Sequence, residues 1–227
     1  MKSQSKKWAN QYTKNNKNPI YPTEWVIRTI AGANYPNFKY DKKLYEGKKI
    51  LDISCGDGRN LQLLINLGFE VYATETDEET VKVLSKRFPS VKFSIGFNHK
   101  HEFSNDFFDF ALSCGSFYYV EPKTNFKTNL RELNRILKHN AIFFANMSTK
   151  DTYVLDGAKK MKNNLYEIKN DPHGYRNGYY WQVANSKKDL DSLFNEFFKI
   201  IACSKIDDDY FGYRIANNIL VAKNISQ

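Results

Sequence analysis

Strand-like and helix-like segments alternate along most of residues 48–223. Short apolar runs such as residues 49–53 and 107–113 have the length and composition of buried parallel strands. Between such runs lie segments with apolar residues at helical spacing, for example residues 59–67 and 125–138. This alternation predicts an α/β fold, with a doubly wound, mostly parallel sheet and helices on both faces. Ligands of such sheets bind beyond the carboxyl ends of the strands.

The alternation contains seven candidate strands. They lie at residues 49–53, 69–74, 91–95, 107–113, 141–145, 199–204 and 218–223. Residues 206–214 fit a hairpin connection between the last two, so we expect an antiparallel last strand. A long polar segment at residues 149–185 interrupts the pattern after the fifth strand. Residues 1–47 are expected to form a basic N-terminal cap segment with a short helix at 24–31.

The positive charge of the chain is concentrated near its start. The formal net charge is +9, and residues 1–50 contain 11 Lys or Arg but only 3 Asp or Glu. The remaining residues are nearly neutral, with 23 basic and 22 acidic side chains. The basic segment is either a solubilising tail or a flap that attracts an anionic substrate. Nucleic-acid binding is less favoured because the main domain carries little net charge.

Several classes of protein are disfavoured by composition. The sequence has no run of 18 apolar residues, which a membrane span requires, and its first residues lack the apolar region of a secretory signal. Cys55, Cys114 and Cys203 form no CxxC pair, so a zinc knuckle is not expected. A sparse, odd cysteine count is typical of reduced thiols. We therefore expect a cytoplasmic protein.

The most informative local pattern runs from Ile50 to Asn60. A buried strand leads directly into a turn with Gly56 and Gly58 and then into a helix, so that a ligand can approach the backbone closely. Glu75 ends the next strand, 19 residues after Gly56 (75 − 56 = 19). A carboxylate at that point can accept hydrogen bonds from both hydroxyls of a ribose.

Residues 49–145 resemble the core of the class I, Rossmann-like S-adenosylmethionine-dependent methyltransferases. In that family an acid is followed by three alternating glycines. Here Asp52, Gly56 and Gly58 match, whereas Ser54 stands at the first glycine position. Glu75 matches the acid that ends the family's second strand. A dehydrogenase is disfavoured, because Leu61 occupies the third glycine position of the dinucleotide fingerprint.

The resemblance implies S-adenosylmethionine as the cofactor and S-adenosylhomocysteine as the product. Asp52 would face the ammonium group, Thr76 and Phe97 would lie near the adenine, and Asn98 would supply the polar contact. The predicted cofactor-binding residues are Asp52, Ser54, Cys55, Gly56, Gly58, Glu75, Thr76, Phe97, Asn98 and Ser113, with Tyr12, Tyr21 and Arg28 as candidates to close over the amino-acid end.

The resemblance also implies that the insert at residues 149–185 forms a lid over the acceptor. His173 is the first candidate for a general base and Arg176 for an anion contact, with Tyr175 and Tyr179 as further substrate-binding residues. Tyr118 and Tyr119 follow the fourth strand and are candidates to orient the substrate. Metal-dependent relatives have acidic residues there, so no catalytic metal is expected.

The predicted reaction is in-line methyl transfer to a small acceptor, with O-methylation favoured. The chain resembles small bacterial methyltransferases associated with surface polysaccharide building. That likeness implies a sugar-linked or anionic acceptor, for example a phosphorylated or nucleotide-activated precursor. The main alternative is an RNA- or protein-modifying methyltransferase that uses the basic N-terminal arm, and a third hypothesis is a non-catalytic protein that binds the cofactor.

Overall fold

A seven-stranded sheet forms the centre of the protein. The computed structural model describes Trp8, Tyr12 and residues 19–32, 35–39 and 41–225, with the backbone alone for Lys42. The basic residues of the predicted cap at positions 2–17 lie outside the described residues. The strands are β1 (Lys49–Asp52), β2 (Glu70–Glu75), β3 (Lys92–Ile95), β4 (Phe108–Ser113), β6 (Leu137–Ser148), β10 (Phe198–Tyr210) and β11 (Tyr213–Asn224).

The strand order is β10-β11-β6-β4-β1-β2-β3. Strands β3, β2, β1, β4 and β6 pair in parallel, whereas β11 pairs antiparallel with both β6 and β10. The predicted α/β fold with a mostly parallel seven-stranded sheet and an antiparallel last strand is therefore confirmed. The strand order reverses beside β1, so the crevice between the ends of β1 and β4 is the expected ligand position.

Four helices follow the strands: α2 (Leu61–Asn66), α3 (Glu78–Arg87), α4 (Phe126–Ile136) and α5 (Lys187–Phe194). Asp77, Asn125 and Ser186 cap α3, α4 and α5, because each side chain accepts a hydrogen bond from the backbone N–H three residues later. Helices α4 and α5 bury their apolar residues against one face of the sheet, and α2 and α3 bury theirs against the other. The chain is thus doubly wound.

A short N-terminal helix packs on the same face as α2 and α3. Helix α1 (Glu24–Val26) continues as a π-helical turn, Ile27–Ala31, within the residues where a helix was predicted. Trp25, Val26 and Ile30 are buried in this cluster. A 3₁₀ turn at Lys42–Tyr45 then leads into β1, and the Tyr45 hydroxyl donates to the Ile30 carbonyl at 3.3 Å.

The insert forms structure of its own, which its polar sequence did not indicate. Strands β5 (Tyr119–Val120), β7 (Lys159–Lys160), β8 (Leu165–Glu167) and β9 (Tyr180–Gln182) form an antiparallel sheet in the order β5-β9-β8-β7. Two 3₁₀ turns, Tyr153–Leu155 and Lys162–Asn164, complete the insert. Because β5 follows β4, this small sheet joins the insert to the end of the main sheet.

The connection between the last two strands is shorter than predicted. Strands β10 and β11 continue through most of the expected loop at 206–214 and are joined by Phe211 and Gly212 alone. Both turn residues have positive φ, 52° and 95°, as the tight hairpin turns that match strand twist require. Among the described residues, no helix has the length and apolarity needed to cross a membrane.

Candidate active site

A cavity of about 780 Å³ opens at the carboxyl ends of β1, β2, β4 and β6. We call its two parts the cofactor half and the insert half. The cofactor half is lined by residues that end or follow β1, β2 and β3, namely Asp52, Ser54, Cys55, Gly56, Asp57, Glu75, Thr76, Phe97 and Asn98. The insert half is lined mainly by Tyr118, Tyr119, Glu121, Ser148, Tyr153, Arg176, Tyr179, Trp181 and Asn217.

The turn after β1 has an unusual backbone. Ser54, Gly56 and Gly58 all have positive φ, at 52°, 65° and 77°. Glycine adopts this conformation without steric cost, whereas serine does not. The Ser54 N–H donates to the Thr74 hydroxyl at 3.3 Å, which holds the turn against the end of β2.

The two glycines of this turn have different surroundings. Gly56 lines the cavity, and a Cβ there would lie 3.3 Å from the Tyr12 ring. Gly58 is not among the lining residues, and its Cβ would lie 2.9–3.1 Å from Phe88, Leu61 and Leu84. Gly56 therefore allows the Tyr12 ring to pack closely on the turn beside the cavity, and Gly58 allows the turn to pack closely on α2 and α3.

Glu75 links β2 to the glycine turn. The Gly56 N–H donates to its Oε1 at 2.6 Å, and the Thr76 N–H donates to its Oε2 at 3.1 Å. Burial raises the pKa of Glu75 to about 7, although both backbone hydrogen bonds favour the charged form. Each oxygen keeps a free lone pair, so the carboxylate can accept further hydrogen bonds from a ligand.

Asp52 is fully buried at the end of β1 and lines the cavity. Neither of its carboxylate oxygens has a hydrogen-bond partner among the described residues. Burial, together with the negative charges of Glu75 and Asp57, raises the pKa of Asp52 well above its usual range. Buried polar groups are nearly always satisfied, so this carboxylate requires a cation or a strong donor from a ligand.

The loop after β3 supplies Phe97 and Asn98. Asn98 is buried, and its amide Nδ2 donates to the carbonyls of Ser116 at 2.8 Å and Tyr119 at 3.2 Å. Its Oδ1 is buried without a partner among the described residues, so it can accept from a ligand amine. Ser113 does not line the cavity; its hydroxyl lies 2.6 Å from that of Ser116, which does.

The three N-terminal candidates lie in different places. Tyr12 lines the cavity beside Gly56 and stacks on Trp8, with ring centroids 5.6 Å apart. Burial raises the pKa of Tyr12 well above its usual value, so its hydroxyl is protonated. Tyr21 is 77% exposed, and Arg28 forms an exposed ion pair with Glu24; neither lines the cavity.

The insert half is strongly aromatic. Tyr118 and Tyr119 stack with ring centroids 5.4 Å apart, and both contact the Trp181 ring edge to face. Tyr179 packs edge to face on Tyr119 at 5.2 Å. Burial raises the pKa of Tyr119 to about 12 and those of Tyr118 and Tyr179 further. All three hydroxyls are therefore neutral hydrogen-bond donors near pH 7.

Arg176 is the cation of the insert half. Asp171 is buried and fixes Arg176: Asp171 Oδ1 accepts from Nη1 and Oδ2 accepts from the Arg176 backbone N–H, both at 3.0 Å. The guanidinium also lies over the Trp8 ring, 5.1 Å from its centroid. His173 is exposed, 5.8 Å from the Tyr213 ring, and Tyr175 stacks against Trp8; neither lines the cavity.

Sequence reasoning did not single out several lining residues. Ser148 ends β6, and a polar residue at the carboxyl end of a parallel strand was a usable signal. Trp181 and Asn217 had no such signal, because pairing in β9 and β11 brings them to the cavity. Glu121 follows β5, a two-residue strand without a periodic pattern.

Comparisons with known proteins agree with this geometry. Residues 51–145 match the protein family described as a methyltransferase domain. An uncharacterized protein of Haemophilus influenzae is 30% identical over 138 residues, which cover 57% of this chain and 50% of that protein. The chain spans about half the length of the curated relatives it matches.

Two solved structures share the fold. A SAM-dependent methyltransferase from Methanosarcina mazei has a TM-score of 0.63 at 17% identity, over 86% of this chain and 99% of that one. The 1,6-didemethyltoxoflavin-N1-methyltransferase of Burkholderia thailandensis, with bound 1,6-didemethyltoxoflavin and S-adenosylhomocysteine, has a TM-score of 0.62 at 14% identity, over 98% and 87%. The chain therefore contains a segment similar to a methyltransferase domain and shares the fold of solved S-adenosylmethionine-dependent methyltransferases.

Proposed function

We propose that the protein transfers a methyl group from S-adenosylmethionine to an oxygen of a small, anionic or sugar-linked acceptor. The observation that carries this proposal is the division of one cavity into two chemically different halves. Unpartnered acceptors, above all the Asp52 carboxylate, line the cofactor half, whereas the Arg176 guanidinium and neutral hydroxyls line the insert half. A cationic cofactor and an electron-rich acceptor fit this division.

The cofactor half has the donors and acceptors that the cofactor needs. The buried Asp52 carboxylate would hold the ammonium group, and the free lone pairs of Glu75 would accept from the ribose hydroxyls. The unpartnered Asn98 Oδ1 would accept from the adenine amine beside Phe97. The bound cofactor supplies a methyl group on a sulfonium, which needs no further activation.

The N-terminal aromatic residues would close the cofactor half. Tyr12 lies against Gly56, and Trp8 joins Tyr12 to the insert through its contacts with Tyr175 and Arg176. Closure of this kind excludes water from the reacting atoms. Tyr175 would then support the position of Trp8 and would not contact the acceptor itself.

The insert half would bind the acceptor. Arg176, held by Asp171, would contact an anion, while Tyr118, Tyr119 and Tyr179 would donate hydrogen bonds and offer ring faces. Aromatic faces with hydroxyl donors also suit a sugar ring, as in the polysaccharide precursors that the sequence resemblance implied. His173, the candidate general base, does not line the cavity and has no role in this proposal.

The first experiment is calorimetric titration of the purified protein with S-adenosylhomocysteine. We expect micromolar binding to the wild type and at least tenfold weaker binding to Glu75→Gln, because the carboxylate holds both the glycine turn and the ribose. Glu78→Gln, an exposed change at the start of α3, is the matched control and should bind normally. A folded wild type that does not bind S-adenosylhomocysteine contradicts the proposed function.

A further inference from the structure

The insert half is rich in hydrogen-bond donors and poor in bases. Among the described residues that line the whole cavity there is no histidine and no lysine. The hydroxyls of Tyr118, Tyr119 and Tyr179 stay protonated, because burial raises their pKa values, to about 12 for Tyr119. A protonated phenol donates hydrogen bonds and does not remove protons. These hydroxyls therefore do not deprotonate the acceptor, which leaves the Glu121 carboxylate as the candidate base of the insert half.

Arg176 presents a fixed and partly unused guanidinium. Asp171 accepts from Nη1, and the guanidinium also lies within hydrogen-bonding reach of the Tyr119 hydroxyl. The guanidinium has five N–H donors in a planar fork, so it can still hold the two oxygens of a carboxylate. Because Asp171 is buried and also accepts from the Arg176 backbone, the direction of the fork is set before a ligand arrives.

We propose that the methyl-accepting group is a carboxylate bound by the guanidinium of Arg176, and that the product is its methyl ester. This inference rests on the proposed function and specifies its acceptor. A monoanion fits better than a phosphate dianion, since the charge of Arg176 is already balanced in part by Asp171. Arg59, which also lines the cavity, is paired with Asp57.

The chemical step needs no general base. One carboxylate oxygen of the acceptor forms a bond to the methyl carbon, and the carbon–sulfur bond breaks with its electron pair remaining on sulfur. A carboxylate and a sulfonium thus become a neutral ester and a neutral thioether, and no proton is released. Methylation of an alcohol at the same site would instead release one proton per turnover. The neutral ester also loses its charge interaction with Arg176, which favours product release.

The test begins with binding to the protein saturated with S-adenosylhomocysteine. The probes are matched acids and alcohols: benzoate and benzyl alcohol, indole-3-acetate and tryptophol, glucuronate and glucose. We expect at least one acid to bind tenfold or more tightly than its alcohol. In Arg176→Met this preference should disappear while S-adenosylhomocysteine affinity is kept, and Arg131→Met, an exposed change on α4, should behave as wild type. Equal binding of acids and alcohols overturns the inference.

Turnover with S-adenosylmethionine gives the second readout. In weak buffer with a pH indicator, we expect no proton released per S-adenosylhomocysteine formed. One proton per turnover overturns the inference. So does a hundredfold loss of kcat in Glu121→Gln, which would identify that lining carboxylate as a general base. If the wild type does not bind S-adenosylhomocysteine, the proposed function itself fails.

Discussion

Replacing Gly58 by alanine is expected to lower the free energy of unfolding by about 2–4 kcal/mol. Gly58 has φ of 77°, a conformation that costs an L-residue about 1–2 kcal/mol. The new Cβ would also lie 2.9–3.1 Å from Phe88, Leu61 and Leu84, and such overpacking costs about 1–3 kcal/mol. The reduced entropy of the unfolded chain offsets about 0.5–1 kcal/mol.

The matched change at Gly56 should affect binding more than stability. Its φ of 65° carries a similar backbone cost, but its Cβ would approach only the Tyr12 ring, at 3.3 Å. Gly56→Ala is therefore expected to cost about 1 kcal/mol of stability. Because that Cβ would displace Tyr12, which lines the cofactor half, S-adenosylhomocysteine should bind at least tenfold more weakly.

Thermal unfolding and calorimetry separate the two effects. In a domain of this size each kcal/mol lowers Tm by about 2–4 °C, so Gly58→Ala should lower it by roughly 5–15 °C. At a temperature where Gly58→Ala remains folded, its S-adenosylhomocysteine affinity should be close to that of the wild type. A Gly58→Ala protein of normal stability, or a Gly56→Ala protein of normal affinity, would refute the division of roles between the two glycines.

Three further changes have expected outcomes. Asp52→Asn should abolish tight S-adenosylhomocysteine binding, because an amide cannot pair with an ammonium group, and should change the stability of the ligand-free protein by less than about 1 kcal/mol, because burial already favours the neutral carboxyl there; calorimetry with urea unfolding checks both. Ser54→Gly should raise stability by up to about 1 kcal/mol, since glycine accepts the positive φ of 52°; urea unfolding measures it, and a less stable variant would contradict the strain at Ser54. Burial lowers the pKa of His101 to about 4, so its protonation favours the unfolded chain. Stability should therefore fall by up to about 3 kcal/mol as pH drops from about 6.5 to 4, and His101→Leu should reduce that loss in urea titrations at the two pH values.

The parts of the site that could be predicted are those formed by residues that are adjacent in the chain. The turn after β1 and the acid that ends β2 belong to short segments with one buried strand and one tight turn, so Asp52, Gly56 and Glu75 could be placed at one edge of the sheet. Such features depend on neighbours a few residues away, and the sequence displays those neighbours.

The insert half was less predictable because distant pairing builds it. Tyr119 pairs with Trp181 and Asn217 pairs with Ser148, and neither register leaves a local pattern. The outer part of the β10–β11 hairpin is polar and extends beyond the core. Its sequence therefore lacks the alternation of buried and exposed residues that would have predicted the full length of the two strands. His173 was chosen as a candidate for its chemistry alone. Its position outside the cavity depends on a turn at Asp171–Gly174, and residue type does not predict the geometry of that turn.

The position of β11 has a consequence for how the molecule is made. This strand, Tyr213–Asn224, lies between β6 and β10 although it follows both in the chain. During synthesis β10 leaves the ribosome with no partner strand within the described main sheet until β11 has emerged and inserted beside β6. Asn217 and Ile215 of β11 also line the cavity. A nascent chain therefore completes the main sheet and this part of the cavity lining in the same step, when β11 inserts beside β6.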